Sequence, residues 1–287
     1  MASATAITAT PPSSANLTSK DAAVLQALFD AESSPSPSSS NVVIDPSLPS
    51  FPTVSESDLV TLKERELHAI RQIQQSSSSS SSSTPSSRET IEAAIAELDA
   101  LIAEFPSYPS AYVNRAQALR VLIEVKSQES SSESKSTDKD ADAADEDKDN
   151  ALFCPSNIRL TTRLFSDLGQ AIALATPASS SQNNYRITVS PAQARILADA
   201  HTHRGYLLLK AAKQKRTSQE KKGGPEQLHN IDCKDQLEEM ASRDFYLGGR
   251  YGNKVAQQLA VQTNPYAKMC GAIVKEALRK EIEENTV

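Results

Sequence analysis

The amino-acid sequence predicts an all-α fold built from three helical hairpins in tandem. Outside the low-complexity runs, apolar residues recur at intervals of three or four, which is the spacing of one helix face. No segment shows a convincing alternation of apolar and polar residues, so no strand is predicted. The same arrangement of small and large residues recurs in successive segments, which indicates an internal repeat.

Part of the 287-residue chain lacks the composition of a folded core. Serine runs such as Ser76–Ser83, and a content of only 5% aromatic residues, bury too little apolar surface to offset the entropy of ordering. We therefore expect residues 1–54 to be mostly disordered, apart from a short helix at residues 20–30 with an apolar stripe from Val24 to Phe29. Further disordered insertions are expected near residues 76–87, 127–150 and 213–224.

Capping residues set the ends of the predicted helices. Ser55 with Asp58, and Ser86 with Glu89, form pairs that satisfy the first backbone N–H groups of a helix. Ser190 stands before a proline, which favours the first turn of a helix. The helices are predicted from Ser55 to Gln75, from Ser86 to Pro106, over Pro109–Val125, Asn157–Ala175, Pro191–Lys213, Asp232–Tyr246 and Val255–Leu259, and from Pro265 onward.

Two sets of offsets recur along the chain. In the first helix of a hairpin, residues at offsets 0, 3, 4 and 7 form the series Tyr112, Arg115, Ala116, Leu119 and the series His201, Arg204, Gly205, Leu208. In the second helix, residues at offsets 0, 4 and 7 form the series Ala94, Leu98, Leu101, the series Leu164, Leu168, Ala171 and the series Ala241, Phe245, Gly248. Small residues let two helices approach closely, and a proline after the second helix ends the pair. This pattern is typical of the tetratricopeptide repeat.

The pattern predicts a short α-solenoid of three repeats, at residues 55–106, 107–177 and 190–263. Each predicted insertion falls in the turn between the two helices of its own repeat. Surface turns tolerate such insertions and packed helices do not, so these positions favour the three-repeat interpretation. A C-terminal capping helix at residues 264–287, with an apolar face from Met269 to Leu278, is expected to seal the last repeat.

Charge and cysteine content exclude several classes of function. The net charge of −6 is located in residues 127–150, where nine acidic residues meet three lysines. The rest of the chain lacks the clustered basic surface that nucleic acids and anionic membranes attract, and no stretch has the apolar length of a membrane span. Cys154, Cys233 and Cys270 form no disulfide or zinc pattern, and we expect Cys154 and Cys270 to be buried. The expected compartment is the cytoplasm, with access to the nucleus, and no cofactor is expected.

No group of residues predicts catalysis or metal binding. His201 and His203 are two apart on a predicted helix, so their side chains point in nearly opposite directions. His229 and Cys233 share a helix face, but no further ligand stands near them. The glycine-rich stretch from Gly248 to Gly252 is typical of a turn rather than of a phosphate loop. The chain is therefore predicted not to be an enzyme.

The predicted hairpins assign two sets of residues. The repeat-packing set contains the residues at which the helices meet: Ala94, Leu98, Tyr112, Ala116, Leu119, Gly205, Leu208 and Phe245. The partner-binding set contains polar residues of the first helices, which line the concave groove of such repeats: Asn114, Arg115, Gln117, Arg120, His203 and Arg204. For Arg115 and Arg204, an ion pair inside the repeat is as good an alternative as contact with a partner.

Five stretches resemble the tetratricopeptide repeat protein 36 family and occur in that family's order: Asp21–Phe29, Ser110–Ala118, His203–Gly205, Arg243–Phe245 and Asn264–Cys270. The resemblance implies a small adaptor without catalytic activity of its own, linked to chaperone-type partners. We therefore predict an adaptor that binds another protein, a chaperone or a client peptide segment, in its groove, with the oligomeric state left open. The alternative is a regulatory subunit that binds and stabilises a metabolic enzyme through its terminal helices or its convex face.

Overall fold

A computed structural model describes residues 42–76, 87–133, 151–177, 187–217, 225–229, 231 and 233–284. The predicted helix at residues 20–30 lies outside these residues, as do most of the three predicted insertions. No helix in the part of the chain that the structure describes has the length and apolarity needed to cross a membrane.

Most of the described residues are helical, which confirms the all-α class. The helices are α1 (Glu56–Ser76), α2 (Ser87–Glu104), α3 (Pro109–Glu133), α4 (Ile158–Ala175), α5 (Pro191–Thr217), α6 (Lys234–Arg250), α7 (Lys254–Thr263) and α8 (Pro265–Glu284). Two three-residue strands, β1 (Val42–Ile44) and β2 (Ile187–Val189), and a 3₁₀ turn at Glu226–Leu228 complete the described elements.

Two helices run further than their apolar pattern predicts. The helix α3 continues to Glu133 rather than ending near Val125, and α5 continues to Thr217 rather than ending near Lys213. The added residues include lysine, glutamine, glutamate and arginine, whose straight side chains lose little freedom in a helix. Parts of two predicted insertions, residues 127–133 and 213–217, are therefore helical extensions.

The strands β1 and β2 form a parallel pair that the sequence analysis did not predict. Val42 pairs with Ile187, and Ile44 pairs with Val189, so two segments far apart in the chain lie side by side. The backbone N–H of Asp45 donates to the carbonyl of Val189 at 2.9 Å and extends this contact. Three residues are too few for alternation to be recognised in a sequence, which explains the omission.

Residues 42–54 also differ from the disordered linker expected from the sequence. Phe51 is 6% exposed, and its ring meets the buried Tyr108 edge-on at 5.5 Å. The hydroxyl of Ser190 donates to the backbone carbonyl of Ser50 at 2.8 Å, which ties this segment to the start of α5. Three prolines and two serines interrupt its apolar residues, and these long-range contacts help to order it.

The helices pack in chain order. Each of α1 to α7 contacts the helix that follows it, and α3 also contacts both α1 and α5. The core lies between these helices and contains fully enclosed leucines from α2, α3, α4 and α5 together with Phe245 of α6. All eight residues of the predicted repeat-packing set are buried: Ala94, Leu98, Tyr112, Ala116, Leu119, Gly205, Leu208 and Phe245.

A close approach between α5 and α6 depends on Gly205. A Cβ atom at this position would lie 3.0 Å from the ring of Phe245 and 3.2 Å from the backbone oxygen of Ala241. Nine in ten real Cβ contacts are longer than these, so a larger residue here requires the Phe245 ring or the two helices to shift.

We predict that Gly205→Ala destabilises the protein relative to a matched substitution, Gly169→Ala. Both glycines are helical, so both variants gain the same intrinsic helix propensity. A Cβ at Gly169 meets nothing within 4 Å, so only Gly205→Ala adds overpacking. The free energies of unfolding, measured in urea, should differ by about 1–3 kcal/mol in favour of Gly169→Ala. Equal values for the two variants would contradict the close approach.

Candidate partner-binding site

Arg115 lies in an ion pair inside the protein. Its Nε and Nη2 atoms donate to the two carboxylate oxygens of Asp167 on α4, at 2.8 and 2.5 Å. Its Nη1 atom donates to Asp99 on α2 at 2.8 Å. The arginine side chain is 10% exposed and that of Asp167 only 4% exposed. Burial by itself lowers the pKa of Arg115, but the hydrogen bonds from both aspartates raise it above its ordinary value. Arg115 therefore joins α3 to the helices on either side.

Arg204 repeats this arrangement one helix pair later. Its Nε and Nη2 atoms donate to both carboxylate oxygens of Asp244 on α6, each at 2.7 Å. A ring nitrogen of His201 shares Asp244 at 2.9 Å, and the His201 ring stacks on Tyr251. Burial by itself raises the pKa of Asp244, but the bonds from Arg204 and His201 lower it below its ordinary value. The carboxylate is thus held in its charged form.

A third pair occupies the equivalent place in α1 and α2. His68 stands one residue before the fully buried Ala69, as Arg115 stands before Ala116 and Arg204 before Gly205. A ring nitrogen of His68 lies 2.9 Å from the carboxylate of Glu97 on α2. The three acidic partners share a position as well, since each directly precedes a buried core residue: Leu98, Leu168 and Phe245.

We predict that Asp167→Asn destabilises the protein by about 3 kcal/mol, because it leaves the buried charge of Arg115 undercompensated. Urea unfolding followed by circular dichroism measures this change. A matched carboxylate-to-amide substitution, Glu92→Gln, removes an exposed ion pair with Arg88 and should change little. If both variants unfold at the same urea concentration, the buried pair does not stabilise the fold.

The remaining residues of the predicted partner-binding set do not form one open surface. Asn114 donates from its amide to Glu66, a 7%-exposed residue of α1 that also accepts from the hydroxyl of Tyr108 at 2.9 Å. Arg120 forms an ion pair with Glu124, one turn further along α3, at 3.1 Å. Gln117 is exposed. Four of the six predicted residues, Asn114, Arg115, Arg120 and Arg204, thus have partners within the chain.

His203 is enclosed, and neither of its ring nitrogens has a hydrogen-bond partner among the residues that the structure describes. Burial, with the charge of Arg120 as a second cause, lowers the pKa of His203 to about 4. The ring is therefore neutral in the folded protein at pH 7.

We predict that His203 makes the protein less stable in acid. Between pH 6.5 and about 4 the unfolded chain protonates this histidine and the folded protein does not, so the free energy of unfolding falls as the pH falls. The variant His203→Gln cannot titrate and should lose stability less steeply between pH 7 and pH 4.5. Urea unfolding at several pH values measures both slopes, and parallel slopes would contradict the prediction.

The C-terminal helix α8 was expected to seal the last hairpin, and the structure corrects this expectation. Its large apolar side chains are more than half exposed: Tyr266, Met269, Ile273, Val274, Leu278 and Ile282. Apart from the adjacent Ile273 and Val274, each follows the one before it by three or four residues, so together they form a broad apolar side of the helix. Lys275 and Arg279 lie at the edge of this side, since they stand three residues before Leu278 and Ile282. Contiguous exposed apolar side chains are uncommon on the surface of a folded protein.

The helix α7 covers the last hairpin instead of α8. Ala256 of α7 is completely buried, and a Cβ atom at Gly248 of α6 would lie 3.2 Å from the Cβ of Ala256. A Cβ at the neighbouring Gly249 would lie 2.7 Å from the side chain of Gln257. The two glycines therefore allow α7 to lie directly on α6.

The cysteines also differ from expectation. Cys154 and Cys270, expected to be buried, are exposed, as is Cys233, and all three are free thiols. Among the described residues, no three histidine, cysteine or acidic side chains come together in an arrangement that could hold a metal ion.

The amino-acid sequence is similar over almost its whole length to that of a gene-cluster protein. It is 58% identical over 288 residues to the "L-tyrosine degradation gene cluster protein hmgX" of Aspergillus fumigatus, and the alignment covers 99% of both chains. The chain belongs to the hmgX family. The resemblance to tetratricopeptide repeat protein 36 is therefore wrong as a family assignment. No protein-family model and no solved structure matches the chain.

The short stretches on which that resemblance rested could not distinguish the hmgX family from the tetratricopeptide repeat protein 36 family. Ser110–Ala118 and Arg243–Phe245 contain residues that any close helix pair needs, namely the buried Ala116, Asp244 and Phe245. Such stretches reflect helix packing and do not carry a family signature.

Proposed function

We propose that the protein is a non-catalytic accessory subunit that binds an enzyme of aromatic amino-acid degradation through the apolar side of α8. The exposed apolar residues of α8 carry this proposal. The pathway follows from the hmgX relative in Aspergillus fumigatus, which is named for an L-tyrosine degradation gene cluster. The absence of catalytic motifs in the sequence fits a subunit that regulates or stabilises its enzyme.

The shape of α8 suits binding in a groove of the partner. Its 20 residues give a length of about 30 Å, and its apolar side repeats at intervals of three and four residues. An amphipathic helix that lies in an apolar groove uses residues with this spacing as anchors. Burying an exposed isoleucine or leucine contributes roughly 1.5–3 kcal/mol, so Ile273, Leu278 and Ile282 together supply a substantial driving force.

The remainder of the chain serves as a rigid support for α8, arranged as three tandem hairpins of the tetratricopeptide type. The equivalent ion pairs of His68, Arg115 and Arg204 support this arrangement, since each basic residue joins the first helix of a hairpin to the second. The contacts of α3 with both α1 and α5 are those expected when first helices line one side of a solenoid.

A chaperone adaptor that captures an acidic peptide in the groove is the weaker candidate. Such capture needs free basic groups on the first helices. Arg65 bonds Glu104 at 2.6 Å, and Arg115 and Arg204 bond buried aspartates. These cations would have to leave their carboxylates before they could bind a peptide.

We predict that Ile273→Glu combined with Leu278→Glu abolishes binding of the partner enzyme. The tagged full-length protein is isolated from cells grown on tyrosine, and the enzyme that copurifies with it is identified. This enzyme is then purified and mixed with each variant, and complex formation is measured by size-exclusion chromatography. The control, Lys275→Glu with Arg279→Glu, places two glutamates on the same helix without removing any of its large apolar side chains and should retain a complex.

Circular dichroism provides the folding check, because all four positions are exposed and none should alter the helix content. Retention of the complex by the apolar-side variant would overturn the proposal. The proposal would also be overturned if the wild type formed a homodimer and this variant were a monomer that still bound the enzyme normally. The apolar side would then serve self-association.

A further inference from the structure

An open cleft of about 300 Å³, called the cavity below, lies where β1, the first turns of α5 and the α6–α7 turn meet. Its apolar wall consists of Ile44 from β1 and Pro191, Ala194 and Ala198 from α5. The pairing of Ile44 with Val189 fixes β1 against the start of α5. The volume is at the lower end of the range for small-molecule sites, so it suits a ligand of amino-acid size.

Two side chains of opposite charge, those of Arg195 and Asp199, lie on one side of this cavity. Arg195 and Asp199 are four residues apart on α5 and therefore share a helix face, where an arginine and an aspartate ordinarily form an ion pair. Their charged atoms are not within 4 Å of each other, and neither has a hydrogen-bond or ion-pair partner among the residues that the structure describes. Both groups remain available to a ligand.

A third polar group lies across the cavity. Tyr251 is 8% exposed, and its hydroxyl has no hydrogen-bond partner within the described part of the chain. Its ring stacks on His201, which holds the aromatic face in place. The side-chain oxygen of Asn253, the next polar residue of the wall, already accepts a hydrogen bond from the N–H of Ala256 and caps α7.

Burial makes the isolated carboxylate of Asp199 costly. Burial raises the pKa of Asp199, and the charge of Arg195 offsets this only in part. A cation placed beside Asp199 would compensate the carboxylate more fully than Arg195 does at its present distance.

We propose that this cavity binds a free α-amino acid with an aromatic or large apolar side chain. The ligand carboxylate binds the guanidinium of Arg195, and its ammonium group binds the carboxylate of Asp199. The side chain of the ligand lies against Ile44, Ala194 and Ala198, with the Tyr251 hydroxyl within reach of its polar end. The charges of a zwitterion match the two charges of the cavity, whereas an anion or a cation alone would leave one of them unpaired. The site is separate from α8, so it would give an accessory subunit a means of sensing its pathway's amino acid.

Titration calorimetry with the full-length protein tests this proposal, with L-phenylalanine as the probe and L-tyrosine and L-leucine as further ligands. Phenethylamine lacks the carboxylate and 3-phenylpropionate lacks the ammonium group. Each should bind at least about tenfold more weakly than L-phenylalanine, since each loses one charged contact. Equal binding of either analogue, or no binding of any of the three amino acids at millimolar concentration, would overturn the proposal.

Variants of Arg195 and Asp199 test whether these two residues bind the ligand. Arg195→Gln and Asp199→Asn should each weaken L-phenylalanine binding by about tenfold or more, whereas Arg243→Gln, a matched change at an exposed arginine of α6, should not. Wild-type affinity in both cavity variants would place the ligand elsewhere and refute the assignment. The α8 variant Ile273→Glu with Leu278→Glu should bind L-phenylalanine normally, so failure of enzyme binding and failure of ligand binding are distinguishable.

Discussion

The close contact between helices at small residues is the constraint on which the rest of the structure depends. Ala69, Ala116 and Gly205 are enclosed in α1, α3 and α5, and the residue before each of them is basic. Because the backbones come so near, a short carboxylate side chain on the next helix reaches that basic group directly. The packing of small residues and the ion pairs are therefore two consequences of one helix separation.

The same close packing places α7, whereas α8 remains uncovered. Gly248 and Gly249 present a bare strip of backbone, and α7 lies on it with Ala256 and Gln257. Among the described elements, the helix α8 contacts chiefly the two preceding helices, α7 and α6. Its large apolar side chains therefore remain exposed, and they are the feature from which we propose a partner-binding role.

The β1–β2 pair has a comparable effect at the other end of the helices. By holding residues 42–44 beside residues 187–189, it places Ile44 over the first turns of α5. Arg195 is exposed beside this strand, whereas Asp199 is partly buried, and burial raises the pKa of its carboxyl.

The sequence by itself determined the helical class, most helix boundaries and the eight packing residues, because these depend on spacing within a single helix turn or two. Three features were decided only by tertiary structure: the partners of Arg115 and Arg204, the pairing of β1 with β2, and the exposure of α8. Each depends on residues that are far apart in the chain, such as Arg115 and Asp167 or Val42 and Ile187. An apolar helix face gives the same sequence pattern whether it is covered or exposed, and only the tertiary structure shows that the apolar side chains of α8 are exposed.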